Sequence, residues 1–455
     1  MAHIQKRQWE SGVTTYVVRW RMPDGTEQAK GGFTTRRAAK AYAAKVETRG
    51  NAFDPRAGAI VFRAAAADWL ASRTDLKPST LDGYRYALAP ASQRRGDGKT
   101  LGIDAVFGGY PLNAITRDDI QAWVKRLIEA GKKPSTVRHA YFTVRMVMAQ
   151  ALADNRIAAN PADYVKLPGE HSATGGIPGV VDDPAQFLTP QQVSALVAAT
   201  AWPYAALVHV AAWAGLRAGE LAGLQVGDVE LPAVRPGSLR VDRTVRVIGG
   251  TLEYLTPKTK GSRRRVPLTA GTTAMLRRHL ALHPRADDPT APLFPAMRLV
   301  AARPTSKAAP KPAHGGKQTA AQRQAHALAM LTVQEAGERL VLDWAQPLRH
   351  QNWYKAVYRP AVLRAMRQNP RAGLSEALKF HSLRHTYASL CVAAGIPPLE
   401  ISRFMGHAKV TTTLGIYTHL FNTDDHAGAM SALDALVMPV PAAPAVGGNV
   451  VPLRR

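Results

Sequence analysis

Five side chains of this 455-residue chain have the types and the order to handle a phosphodiester. Arg217 lies in Gly215-Leu216-Arg217-Ala218-Gly219-Glu220-Leu221. His381 and Arg384 lie in His381-Ser382-Leu383-Arg384-His385, and His407 and Tyr417 in the run from Gly406 to His419. Arg384 can grip two phosphate oxygens with its planar fork, and Arg217 can add a second guanidinium. Two permanent cations stabilise the extra negative charge of a pentacoordinate transition state. No Asp/Glu cluster with metal-like spacing accompanies them, so they would do what a metal ion does in many nucleases. A tyrosine hydroxyl, with an ordinary pKa of roughly 10, is a poor nucleophile until a base and nearby positive charge assist it. His381, on the same helix face as Arg384, is the candidate base. His407 is read as a hydrogen-bond donor to a non-bridging oxygen. The leaving 5′ oxygen needs a proton, which a lysine on a hairpin can supply. Lys258, in the stretch Pro257 to Leu268, is the first candidate and Lys260 the second. Glu220 is expected to bond within the domain near Arg217, and His385 and His419 to stand behind the site or on the surface. Each motif alone is common, and their joint order carries the reading.

Positioning these groups takes more than one domain at this length. The net charge of +26 points to a polyanionic partner, because phosphate contacts dominate nucleic-acid affinity. An anionic membrane would call for a basic amphipathic helix or a lipidation signal, and neither is present. The most apolar run, Tyr204 to Leu216, is too short to span a bilayer and contains His209, so it reads as a buried helix. The N-terminus lacks the apolar core of a signal peptide. The single cysteine, Cys391, excludes an intrachain disulfide and reads as a small buried helical residue. A bacterial cytoplasm fits, and no cofactor is called for.

The fold class expected is mainly α with small β elements. Residues 1–55 read as a β-sheet with one helix. Tyr16, Val18 and Trp20 alternate with Val17, Arg19 and Arg21, so one strand face is apolar and the other partly basic. Arg19 and Arg21 are therefore candidate DNA contacts. Residues 60–168 read as all-helical. Lys77-Pro78-Ser79-Thr80 and Lys133-Pro134-Ser135-Thr136 each precede a helical pattern, with Ser/Thr available as caps. The second of these helices carries Arg138 and Arg145 on a basic face that could lie on DNA. Residues 169–186, with three Gly-Gly or Pro-Gly elements, read as a linker. Residues 187–432 form the large domain, opened by Thr189-Pro190-Gln191-Gln192 as a capping box. It holds a β-hairpin around Gly249-Gly250, with Arg263 and Arg264 as further DNA candidates, and a flexible basic insertion at 301–327. Residues 433–455 read as a flexible tail.

In these residues the chain resembles the tyrosine recombinase family, the phage-type integrases. Gly215 to Leu221 looks like the family's first arginine box, and Pro257-Lys258-Thr259 with Arg265 to Leu268 like its lysine hairpin. His381 to His385 looks like the second box, Met405-Gly406-His407 like the usual Leu-Gly-His, and Tyr417 stands at the nucleophile position. The resemblance implies that Arg217, Lys258, His381, Arg384, His407 and Tyr417 are catalytic. It implies an arm-type DNA-binding domain, a SAM-like core-binding domain and a catalytic domain, a layout similar to lambda-type integrases. The implied reaction cuts DNA through a 3′-phosphotyrosine and rejoins it through a Holliday junction, without ATP or metal. The implied partners are double-stranded attachment-site DNA, three further copies of the chain in a tetramer, a host DNA-bending factor and an excisionase, with no membrane. One departure is that ten positions separate His407 from Tyr417 where nine is common in the family, so a loop adjustment is expected. The competing readings are a Xer- or transposon-type resolvase, a type IB topoisomerase-like enzyme and an inactive DNA-binding homologue.

Overall fold

The computed structural model describes residues 2–9, 12–21, 27–48, 57–169, 181, 183–257, 260–300 and 319–421. The chain divides into two compact units, residues 1–178 with 246–253, and residues 179–245 with 254–455.

The first unit opens with an antiparallel sheet of β1 (His3–Gln8), β2 (Thr14–Arg21) and β3 (Glu27–Phe33), in that order. Val18 and Trp20 point to α1 (Arg36–Thr48) and are buried with Ala39, Ala43 and Val46. Alternation along β2 sends Arg19 and Arg21 to the other face. The edge strand β1 was not legible in the sequence, because Ile4 is its only strongly apolar residue and no period-two pattern marks it. The turn expected at Pro23-Asp24-Gly25 lies outside the described residues.

The helical module follows: α2 (Phe62–Ser72), α3 (Pro78–Leu88), α4 (Gly98–Leu101), α5 (Ile103–Phe107), α6 (Arg117–Glu129) and α7 (Pro134–Ala153). Their apolar stripes meet in one core that includes Phe62, Trp69, Phe107, Trp123, Val144 and Met148. Thr116 and Asp119 cap α6 reciprocally. The Ser/Thr caps expected for α3 and α7 do not form. Lys77 and Lys133 hold the cap positions in extended backbone with no side-chain cap bond. Proline explains the shift: it suits the first helical position, forces its predecessor out of the helix, and so carries the Ser/Thr pair inside.

The second unit begins at the end of the expected linker, and that end is bound. The Val181 N–H donates to the Ile416 carbonyl, Asp183 caps a short turn, and Ser382 Oγ donates to Gln186 Oε1 at 2.6 Å. Thr189 and Gln192 then form the expected box at the start of α8 (Pro190–Ala198). The run read as a buried helix is α9 (Tyr204–Ala214), apolar nearly all round and packed at the centre. It leads into α10 (Ala218–Gly223), then β4 (Val229–Glu230), β5 (Ser238–Val241) and β8 (Arg264–Pro267); between β5 and β8 the chain runs through β6 (Thr244–Ile248) and β7 (Thr251–Leu255), whose residues 246–253 are counted with the first unit. Gly249 and Gly250 both have positive φ and make the two-residue turn between β6 and β7. β8 returns to pair with β5. After α11 (Ala270–Ala281) comes β9 (Pro295–Leu299), whose partner β10 (Leu340–Pro347) lies beyond the inserted segment.

That insertion is not loose throughout. Residues 301–318 lie outside the described residues, but 320 onward forms α12 (Ala320–Met330), which buries Ala325 and Ala329, followed by α13 (Val333–Glu338). The buried Arg364 fastens it, donating to the carbonyls of Leu328, Leu331 and Ala199. Arg364 lies on α15 (Arg359–Gln368), reached from α14 (His350–Trp353) through one π-helical turn. Three α-helices follow among the described residues: α16 (Ser382–Ala393), α17 (Pro398–Met405) and α18 (Val410–Tyr417). The tail from 422 lies outside the described residues. No helix among the described residues is long and apolar enough to cross a membrane.

Candidate active site

Two glycines end helices in the left-handed conformation and shape the site. Gly215 closes α9 with φ +64°, and Gly406 closes α17 with φ +66°. A Cβ on Gly215 would lie 2.2 Å from the Tyr387 ring, and one on Gly406 would lie 2.8 Å from Arg264 Nη1. Each glycine carbonyl accepts from an arginine of a distant segment. Arg217 Nη2 donates to Gly406 O at 3.1 Å, and Arg384 Nη1 donates to Gly215 O. Arg384 Nη2 also donates to Met405 O at 2.7 Å. The two arginines, far apart in sequence, are thus braced across each other's loops.

Glu220 holds this pair from below. It is buried, accepts from the Arg217 backbone N–H and Nη1 at 2.9 Å each, and pairs with Arg264 Nη2 at 2.9 Å. Burial opposes its ionisation, but Arg264 and Arg217 outweigh that and hold the carboxyl below its ordinary range. Arg264 is the clear departure from the sequence reading. Assigned to DNA, its side chain is only 6% exposed, and it donates to Glu220, the Phe404 carbonyl and the Ser262 carbonyl. Its neighbours differ: Arg263, in the bend before β8, is exposed, and strand alternation turns Arg265 outward. Of the other arginines assigned to DNA, Arg138 donates to the Pro168 carbonyl and Arg145 pairs with Asp163 at 3.0 Å. Arg21 is exposed, and Arg19 is partly exposed with Glu27 at 3.7 Å.

His381 holds the N-cap position of α16 without a side-chain cap bond, at the mouth of the site, and Phe380 before it is anchored edge-on against Trp353 and Tyr358. The Arg217 side chain is 39% exposed beside this mouth, whereas Arg384 is 3% exposed as a residue and forms the floor. Burial and the Arg217 charge lower Arg384 to about 9, which leaves it cationic near neutral pH. Partial burial of the ring, with the Arg384 and Arg217 charges, lowers His381.

His407 Nε2 sits 2.9 Å from Arg384 Nη2, and its Nδ1 2.7 Å from Thr413 Oγ1. A guanidinium only donates, so Nε2 is the acceptor, and a neutral ring then carries its proton on Nδ1. Burial, followed by the charges of Arg384, Arg217 and Arg264, pushes His407 down to about 3. The sequence reading made His407 a donor to phosphate. Here both of its nitrogens are engaged inside the protein.

Tyr417 ends α18 and is 1% exposed, packed with Tyr387, Cys391, Ile401 and Met405. Its hydroxyl lies 2.9 Å from His385 Nδ1. Burial raises the hydroxyl to about 12, against the pull of Arg384 and Arg217. Burial, His381 and Arg384 push His385 down to about 4. The residue at the hydroxyl is therefore His385, which the sequence placed behind the site or on the surface, and not His381. Its position four residues after His381 on one helix was the signal available. Lys258 lies outside the described residues, and Lys260 opens a short 3-10 turn. No group of three or more His, Cys, Asp or Glu side chains among the described residues could hold a metal ion.

The fold resembles that of a solved protein. The Tn1549 transposon integrase, solved with a circular intermediate DNA, superposes with a TM-score of 0.52 over 83% of this chain and 100% of that one, at 17% identity. The integrase of Mycobacterium phage D29 is 28% identical over 227 residues, 50% of this chain and 53% of that protein. A XerC-like tyrosine recombinase of Caldanaerobacter subterraneus is 23% identical over 326 residues, 69% of each chain. The chain spans about half the length of the phage D29 relative. Residues 186–423, more than half of the chain, match the phage integrase family, and the chain belongs to that family.

Proposed function

We propose that the protein is a site-specific DNA recombinase that integrates and excises the DNA of a phage or other mobile element. The observation that carries this reading is the convergence of Arg217, Arg384, His407 and Tyr417 from separate segments into one cluster. Arg217 and Arg384 hold the scissile phosphate and stabilise the charge of its pentacoordinate state. Tyr417 Oη attacks phosphorus, the bond to the 5′ oxygen breaks, and Lys258 gives that oxygen its proton. The product is a 3′-phosphotyrosine and a free 5′-OH. The covalent link conserves the bond energy, so a 5′-OH from a second duplex reverses the step without ATP. Repeated on the second strand pair, the exchange forms and resolves a Holliday junction, with four copies on two DNA sites. The β1–β3 sheet, with Arg19 and Arg21 on its open face, serves as the arm-type DNA module, and the α2–α7 bundle as the core-site module. Double-stranded DNA in the bacterial cytoplasm is the substrate. A host bending factor and an excisionase set direction.

Covalent trapping tests this. Wild type and Tyr417→Phe are incubated with supercoiled plasmid carrying the DNA that flanks the gene, in EDTA, and run on denaturing gels. An adduct with wild type alone supports the reading. DNA binding without an adduct on either flank overturns it in favour of an inactive DNA-binding homologue.

A further inference from the structure

We infer that His385 is a catalytic residue, the group that takes the hydroxyl proton of Tyr417 when the tyrosine attacks phosphorus. This rests on the recombinase reading above and names a residue that reading leaves without a role.

Geometry carries the argument. A general base must stand within hydrogen-bond reach of the proton it removes. His385 Nδ1 is 2.9 Å from Tyr417 Oη. A neutral phenol donates to an unprotonated ring nitrogen, which places the His385 proton on Nε2. His381 meets His385 ring to edge at 4.9 Å, so it stands behind the ring that contacts the hydroxyl. Phe187 packs edge-on against His385 and also against His419, closing that side with an apolar wall. The backbone holds the pair in register. Val181 N–H bonds the carbonyl of Ile416, next to Tyr417, and Leu188 N–H bonds Thr386 Oγ1, next to His385.

The balance is simple. The Oη–H bond breaks and its proton goes to Nδ1. The Oη–P bond forms, the P–O5′ bond breaks, and the 5′ oxygen is protonated from the leaving-group side. His385 and Tyr417 both stay neutral in the arrangement described, because burial disfavours an ion on either group. A phosphodiester held by Arg217 and Arg384 brings negative charge beside the ring and favours the imidazolium. Proton transfer is thereby tied to substrate binding, which keeps the nucleophile idle off DNA.

The test is single-turnover cleavage of a nicked suicide duplex by wild type, H385N, H385A and H381A, with DNA affinity and thermal melts measured in parallel. Asparagine keeps a short hydrogen-bonding side chain but cannot take the proton. The expected result is a loss of about 100-fold or more in H385N cleavage, with affinity within about threefold of wild type and an unchanged melt. Added imidazole should raise the H385A rate and leave H381A unmoved. A substrate with a 5′-bridging sulfur, whose thiolate leaves without a proton, should leave H385N slow. H385N cleaving within fivefold of wild type overturns the inference, as does rescue of H385N by the sulfur substrate, which would make His385 the acid. Imidazole rescue of H381A alone also overturns it. Wild type that forms no adduct while binding DNA overturns the recombinase reading itself, and this inference with it.

Discussion

At 2.9 Å from a group that can only donate, His407 Nε2 is locked as an acceptor, and burial together with the cations around it keeps it neutral. That has a consequence in acid. His385 and His407, lowered to about 4 and about 3, take up protons far more readily unfolded than folded. Their contribution to stability is complete above the unfolded value of about 6.5 and is lost as pH falls from there toward about 4 for His385 and about 3 for His407. The melting temperature should therefore decline steadily between pH 6.5 and 4, and His407→Asn should flatten that slope. A level melting temperature across this range contradicts the assignment. Tyr417→Phe removes one hydroxyl from a buried site and should melt within a few degrees of wild type. It should bind DNA and form no covalent product on a denaturing gel.

Helix ends organise the next scale. Arg364 is a buried guanidinium whose donors reach three backbone carbonyls. It compensates the negative ends of α8 and α12 together. Arg364→Met keeps the volume and strands those carbonyls, so urea unfolding should show a loss of about 3 kcal/mol, read as a lower midpoint. Gly406→Ala acts differently. The left-handed backbone costs about 1–2 kcal/mol for a residue with a Cβ, and that Cβ would press on Arg264. Because Gly406 O also anchors Arg217, cleavage should fall more than stability does, a split visible by comparing single-turnover rates with melts.

For the whole molecule, the charge of +26 makes the proposed DNA binding a counterion-release process. The logarithm of affinity should fall linearly with the logarithm of salt. If Arg19 and Arg21 each contact a phosphate, the double alanine variant should lower the slope of this plot by about 2. Anisotropy titrations at several salt concentrations measure it. An unchanged slope on DNA carrying arm-type sites removes the open sheet face from the interface.

Period-two alternation in β2, the capping box at Thr189 and the apolar run of α9 were legible because each is a local pattern read by one element's own geometry. The candidate site residues were named from their types, because guanidinium, imidazole and phenol side chains suit a metal-free attack on a phosphodiester. What tertiary structure alone decided was which of several equal candidates meets which partner. Arg263, Arg264 and Arg265 are indistinguishable in sequence, yet the start of β8 at Arg264 and the position of Glu220 bury one side chain and leave its neighbours exposed. His381 and His385 share a helix, and only the packing of α18 against α16 brings the tyrosine to the second of them. Proline at the first helical position, a local effect that was misread, moved the caps of α3 and α7. Local pattern sets the element and the chemical type. Contacts between distant segments set burial, hydrogen-bond partner and proton position, because those depend on what the rest of the chain brings alongside.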